Sequence, residues 1–263
     1  MIRNWIVQAS RKDSARDIGE AELGPAEWVR TKLGFIPDPI QARLLESSSK
    51  RVILNCTRQW GKSTVTAAKA VHLAATRRDS LILVVSPGER QSGEFLRKAA
   101  GFMRRLGMKV KGDGDNAMSL AFRNGSRIVG LPGKEATIRG FSAVSLLVVD
   151  EAARVPDDMY MAIRPMLAVS NGTLWLMSTP HGKTGFFHET WMNGGEAWER
   201  VKVTAEECPR ISKEHLKEET RALGARWYRQ EYMCEFEDTE SGVFDMASVR
   251  AAFKDDIKPL VIP

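Results

Sequence analysis

Two short stretches of this chain combine residue types that hold and cleave phosphate groups. The first reads Cys56-Thr57-Arg58-Gln59-Trp60-Gly61-Lys62-Ser63-Thr64. Lys62 is a compact cation suited to lie between phosphates, and the Ser63 hydroxyl is a ligand for Mg²⁺. Gly61 lets the main chain come close to a phosphate, where a side chain would collide. The second stretch is Leu146-Leu147-Val148-Val149-Asp150-Glu151-Ala152. Asp150 is placed to hold Mg²⁺ through its water shell. Glu151 is placed to polarise a water that attacks a terminal phosphate. Each stretch also has a plain reading, a Gly-Lys pair at an ordinary helix start and an Asp-Glu pair capping a helix.

The elements around these stretches decide between the readings. Val52-Ile53-Leu54 predicts a strand before the first loop, and the Ala-rich segment Ser63 to Arg77 predicts a helix after it. In a strand–loop–helix unit of this kind, backbone N–H groups and the positive helix end surround the β- and γ-phosphates. One departure stands out: Cys56 occupies the place, five residues before Gly61, where the common pattern has glycine. Leu81 to Val85, Leu146 to Val149 and Leu174 to Met177 are continuous apolar runs of strand length, as in sheets buried on both faces. The carboxylates follow one such run, at the strand end where α/β sheets keep their ligand sites. The last run ends in Ser178-Thr179-Pro180, a common turn whose hydroxyls also suit a γ-phosphate or its attacking water. Taken together, the two stretches point to a P-loop ATPase that uses ATP and Mg²⁺.

The remaining chain divides around this core. Residues 1–32 read as an N-terminal arm, with Trp5 and Trp28 as isolated anchors. Pro37 and Pro39 hold an extended entry to a helix near Pro39. Gln41 comes next, either a helix-surface residue or one that pairs with the donor and acceptor edge of adenine. Glu89 to Leu106 predicts a helix with an apolar face and a basic stripe of Arg90, Arg97, Lys98, Arg104 and Arg105, which faces either solvent or DNA phosphates. Met118 to Phe122, the turn Asn124-Gly125 and Arg127 to Leu131 predict a β-hairpin. A loop containing Arg139-Gly140 comes after it. The P-loop core spans 33–185. Residues 186–240, with a strand at Trp198 to Val203 and helices near 212–223 and 225–233, read as a small C-terminal α+β lid, and 241–263 as a tail or linker.

Composition sets the bounds. The 263 residues are 43% hydrophobic and carry a net charge of +6, which permits a polyanionic partner without demanding one. Three cysteines far apart in sequence fit a reducing compartment and argue against a disulfide framework or zinc site. No apolar run approaches the ~18 residues of a membrane span, so no membrane partner is expected.

The order of these signatures carries a family resemblance. Pro39-Ile40-Gln41, Arg58-Gln59-Trp60-Gly61-Lys62-Ser63-Thr64, Arg139-Gly140, Leu147 to Ala152, Ser178-Thr179-Pro180-His181-Gly182 and Arg229-Gln230-Glu231-Tyr232 follow one another. This arrangement resembles the ATPase domain of the bacteriophage terminase large subunit, a DNA-packaging motor. The Arg-Gln-x-Gly-Lys-Ser/Thr form of the loop is typical of that family and accounts for Cys56. The resemblance implies an additional-strand, RecA-like P-loop fold with a mostly parallel, helix-flanked sheet. It implies that Gln59, Trp60, Gly61, Lys62, Ser63 and Thr64 cradle the nucleotide, that Gln41 contacts adenine, and that Ser63 and Asp150 hold Mg²⁺. Glu151 is then the catalytic base, Arg58 a γ-phosphate sensor, Ser178 and Thr179 a coupling motif, and Arg139 a finger acting on a neighbouring subunit. Implied partners are double-stranded DNA, further copies in a ring on the portal, the portal protein and the small terminase subunit, in the host cytoplasm. The family's large subunits continue into a nuclease domain, which this chain is too short to hold, so no nuclease activity is expected. The competing readings are a superfamily 2 helicase-like ATPase and a non-catalytic, nucleotide-stabilised assembly module.

Overall fold

The computed structural model describes residues 23–116, 118–132 and 140–238. Seven strands form one sheet in the order β3-β4-β2-β5-β6-β1-β7. They are β1 (Arg51–Cys56), β2 (Leu81–Ser86), β3 (Ser119–Ala121), β4 (Arg127–Pro132), β5 (Val144–Asp150), β6 (Thr173–Ser178) and β7 (Glu199–Val203). All neighbours pair in parallel except β3, which runs antiparallel to β4 as the outer arm of the expected hairpin. β6 lies between β1 and β5, so one strand separates the lysine-bearing loop from the carboxylates. This is the additional-strand arrangement that the family resemblance implies.

Alternation along each strand sends side chains into two cores. Val52, Leu54, Val84, Val148, Trp175 and Met177 pack on one face of the sheet. There they meet helices α1 (Pro25–Leu33), α2 (Pro39–Glu46), α3 (Lys62–Thr76) and α4 (Glu89–Arg105). Ile53, Leu83, Val85, Leu147, Val149 and Leu176 face the other way. They pack against α5 (Asp157–Ile163) and α6 (Gly185–Asn193), where the rings of Tyr160 and Phe186 stack 3.9 Å apart. Burial on both faces is why these strands read as unbroken apolar runs.

Local chemistry explains the element ends. Asp38 caps α2 by accepting from the Gln41 backbone N–H, while the Gln41 side chain accepts from the Asp38 N–H, a reciprocal capping box with Pro39 in the first turn. The helix predicted over Glu89 to Leu106 has the expected apolar face, and Arg90, Arg97, Lys98, Arg104 and Arg105 are all exposed, in different surroundings. Arg105 donates to the Leu33 carbonyl at 2.7 Å and Arg97 pairs with Glu94. Lys98 instead lines the cleft at the strand ends.

The C-terminal part departs from the expected division. The strand assigned to a lid is β7, which pairs in parallel with β1 from Val52–Glu199 to Cys56–Val203 and is an edge of the main sheet. A boundary at 185/186 therefore cuts across the sheet. Beyond β7 lies α7 (Lys213–Glu231), capped by the Ser212 hydroxyl. Its two helical pieces meet at Gly224, whose φ of 74° and ψ of 159° suit only glycine. The tail expected at 241–263 and the first 22 residues of the arm lie outside the described residues; Trp28 of the arm is buried against His72. Among the described residues, no helix is long and apolar enough to cross a membrane.

One residue ties the hairpin to the helix behind the phosphate loop. Asn124 Nδ2 donates to the carbonyls of Ala74, Ala75 and Arg77 at the C-terminal end of α3. Asn124→Ala removes its donor from the Ala74 and Ala75 carbonyls, leaves the Arg77 carbonyl with only the Ser126 hydroxyl, and removes the bond from the Ser126 N–H to Asn124 Oδ1. It is expected to lower the unfolding free energy by about 1–2 kcal/mol in urea denaturation. Nucleotide affinity should be unchanged, because the site sits at the opposite end of α3.

Candidate functional site

Strand register brings the chemistry together. Asn55 of β1 lies beside Ser178 of β6, and Met177 of β6 lies beside Asp150 of β5, so the three strands end at one level. The segments leaving these strand ends border a cleft of about 740 Å³ lined by Gln41, Arg58, Gln59, Gly61, Lys62, Ser63, Thr64 and Glu151, together with Lys98, Arg154 and Arg210. Five of these side chains are cationic, which is the electrostatic complement of a polyphosphate.

Lys62 is buried at the first turn of α3. Its ammonium donates to the carbonyls of Cys56 at 2.9 Å and Thr57 at 3.1 Å, and to Thr179 Oγ1 at 3.4 Å. Gly61 has φ 95°, and a Cβ there would lie 3.2 Å from Gln41 Nε2. The glycine is thus required by the loop itself as well as by any phosphate. Cys56, by contrast, is the last paired residue of β1, with its side chain buried beneath β7. A regular strand position needs no glycine, so the departure from the common pattern is structurally neutral. Burial pushes its thiol well up, and all three cysteines are free and buried.

The carboxylates behave differently from each other. Asp150 is buried, and burial followed by repulsion from Glu151 raises its pKa to about 6, against the pull of Lys62. Ser63 Oγ donates to Asp150 Oδ2 at 3.4 Å. Glu151 occupies the left-handed region at φ 51°, a strained position for a residue other than glycine, and its N–H donates to Asp150 Oδ1. This turn directs the Glu151 carboxylate out of the sheet into the cleft, where Arg154 Nη1 sits 3.3 Å from it. Ser178 Oγ donates to the Thr179 carbonyl, so only Thr179 presents a hydroxyl to Lys62.

Gln41 lines the cleft with its amide engaged at both ends: Oε1 accepts from Asp38 N–H and Nε2 donates to the Trp60 carbonyl at 3.0 Å. Trp60 itself is buried in the core, and Gln59 and Arg58 are exposed. The Trp60 carbonyl also accepts from Arg210, which pairs with Asp38 at 3.2 Å. Arg58 Nε pairs with Glu231 Oε2 at 2.5 Å. Arg139 lies outside the described residues.

Sequence reasoning missed Arg154, Arg210 and Lys98 as cleft residues. Arg154 was accessible from spacing, because it stands three residues after Glu151. Arg210 had no local signal: it reaches the cleft only because β7 pairs with β1.

The comparisons with known proteins fit this geometry. A family model described as "Terminase large subunit, T4likevirus-type, N-terminal" matches residues 53–250. The large terminase subunit of Escherichia phage T5 is 24% identical over 256 residues, covering 88% of this chain and 57% of that protein. The large terminase subunit of Thermus virus P23-45 is 26% identical over 184 residues, covering 63% of this chain and 38% of that one. The chain thus spans roughly half the length, or less, of these curated relatives. Among solved structures, the large terminase ATPase domain of Thermus phage P74-26 superposes with a TM-score of 0.72 at 22% identity, over 82% of this chain and 100% of that one. The large terminase of a thermophilic bacteriophage, in complex with ATP-γ-S, gives a TM-score of 0.58 at 16% identity, over 80% of this chain and 50% of that one. With three quarters of its length matched by the family model, this chain belongs to the terminase large subunit family and corresponds to its N-terminal part.

Proposed function

We propose that this chain is an ATP-hydrolysing motor domain, and that in the host cytoplasm its turnover drives double-stranded DNA into a procapsid as a ring of copies on the portal. The observation that carries the reading is the convergence of Lys62, Ser63, Asp150 and Glu151 at three adjacent parallel strand ends, around a cleft rich in cations. Family membership supports the DNA, portal and small-subunit partners.

Each side chain has a task in this reading. The N–H groups at the start of α3 and the Lys62 ammonium receive the β- and γ-phosphates once Lys62 leaves the Cys56 and Thr57 carbonyls. Gln41 meets adenine by giving up the Trp60 carbonyl, which Arg210 continues to cover. Ser63 and Asp150 offer hard oxygen donors 3.4 Å apart that fit Mg²⁺. When bound, the ion neutralises charge on the β- and γ-phosphate oxygens. Glu151 takes the proton of the water that attacks the γ-phosphorus, and ADP departs as the leaving group. Thr179, touching Lys62 from the end of β6, links the phosphate site to the sheet's other face, and Arg139 serves a neighbouring copy.

Glu151→Ala should retain nucleotide binding while turnover falls by roughly 10²-fold or more. Arg139→Ala should also be inactive, and a mixture of the two variants should recover Mg²⁺-dependent ATP hydrolysis, because each supplies what the other lacks. Two inactive variants that stay inactive when mixed, beside an active wild type, would remove Arg139 from action across subunits and leave the hydrolysis reading standing.

The raised pKa of Asp150 has a stability consequence in metal-free protein. The folded state disfavours the charged form, so the cost is absent below the ordinary value of 3.8, grows as pH rises, and is complete above about 6. Asp150→Asn is therefore expected to stabilise the protein by about 1–3 kcal/mol at pH 7.5 in EDTA, with the gain vanishing toward pH 4. Urea denaturation at the two pH values measures this; a pH-independent difference would contradict it.

A further inference from the structure

The segment Arg229-Gln230-Glu231-Tyr232 delivers a carboxylate, from the far end of the described chain, to two arginines that line the phosphate cleft. Glu231 is 8% exposed. Its Oε2 lies 2.5 Å from Arg58 Nε, and its Oε1 lies 3.6 Å from Arg154 Nη2. Oε1 has no hydrogen bond among the described residues. Arg154 in turn holds the Glu151 carboxylate through its other terminal nitrogen. One buried carboxylate therefore bridges the arginine of the phosphate loop and the arginine that grips Glu151.

The backbone around Glu231 is fastened to the phosphate loop, to β1 and to the segment after β7. Thr57 Oγ1 donates to the Glu231 carbonyl at 3.0 Å, Asn55 Nδ2 to the Cys234 carbonyl, and Ala205 N–H to the Tyr232 carbonyl. The end of α7 is thus pinned beside β1, while the ion pairs of the Glu231 side chain are incomplete. A buried carboxylate short of a hydrogen bond is an expensive arrangement. A phosphate offers guanidinium groups a better, two-pronged partner.

We propose that Glu231 is a positioning residue that competes with the γ-phosphate for Arg58 and Arg154, and thereby sets the preference of the cleft for triphosphate over diphosphate and the freedom of Glu151. The inference rests on the nucleotide reading above. A γ-phosphate draws the two arginines inward, which loosens the hold of Arg154 on Glu151 and frees that carboxylate to face water. ADP has no such group and leaves both pairs closed. Because the arginines must be taken from Glu231, the apparent affinity for triphosphate is reduced by the fraction of protein in which they are free. Loss of its arginine partners also leaves Glu231 uncompensated and loosens the last turn of α7.

The test is calorimetric titration of Mg·ATPγS and Mg·ADP onto wild-type protein, Glu231→Gln and Glu231→Asp. Glu231→Gln keeps the shape and removes the charge. It should tighten ATPγS binding by roughly five- to tenfold, as expected for release of charged pairs, with ADP affinity held within about twofold. Glu231→Asp, which restores the charge, should return the ratio toward wild type. A plain anchor for α7 would move both nucleotides alike or neither, and either result overturns the proposal. If Glu231→Gln does not fold, hydrogen exchange on wild-type protein decides. Amides 229–233 should exchange faster with ATPγS than with ADP, and equal exchange overturns the proposal. Wild-type protein that binds neither nucleotide defeats the proposal and the ATP reading together, whereas wild-type binding with an unaltered variant ratio defeats the proposal alone.

Discussion

A buried ammonium is the constraint around which this structure is arranged. Lys62 lies at the start of α3 with almost no solvent contact and needs oxygen partners. Here those partners are two carbonyls of its own loop and the hydroxyl of Thr179. Meeting that need requires β6 to sit directly beside β1, and it requires β6 to end level with β1 and β5. The strand order and the flush register are therefore what the lysine depends on. The same arrangement leaves Asp150 close enough to feel Lys62, yet buried enough to be driven toward neutrality by its surroundings and by Glu151. In the proposed reading, a phosphate entering this cleft replaces the loop carbonyls as the partner of a cation that is already in place.

The rest of the cleft is charged but restrained. Arg58 and Arg154 are held by Glu231, Arg154 also by Glu151, and Arg210 by Asp38. Pairing of this kind keeps side chains near their working positions, so that less ordering is left for the moment of binding. In the proposed reading, binding is then an exchange of partners. The Glu231 carboxylate and the Thr57 hydroxyl contact join the loop before Lys62 to the end of α7, so such an exchange would reach the C-terminal helix. Gly224 divides that helix into two pieces, and the piece carrying Glu231 is the one tied to the nucleotide site.

Much of this was legible in the sequence because it is encoded locally. Unbroken apolar runs gave β2, β5 and β6, the Gly-Lys-Ser step gave the start of α3, and Asn124-Gly125 gave the hairpin. Asp38, Pro39 and Gln41 together mark the start of α2, although the engagement of both ends of the Gln41 amide does not follow from its residue type. What was not legible depends on which strands become neighbours. β7 is only five residues long and mixed in polarity, so its pattern did not distinguish an edge strand of the main sheet from a strand of a separate lid. Once it pairs with β1, the loop after it carries Arg210 to the cleft. Lys98 belongs to a helix whose basic residues looked equivalent, and their different surroundings along α4 follow from tertiary packing: Lys98 lines the cleft, while Arg105 at the helix end reaches the Leu33 carbonyl at the end of α1.

The central claim is that Lys62 stands ready for a nucleoside triphosphate at these strand ends. The most direct measurement is calorimetric titration of Mg·ATPγS onto the purified chain, for wild type and for Lys62→Ala. The account predicts one site on wild-type protein with a dissociation constant in the range of about 1 μM to 1 mM, the span usual for enzyme substrates. It predicts no measurable heat for Lys62→Ala that is folded by circular dichroism. Binding to Lys62→Ala as tight as to the wild type would contradict it.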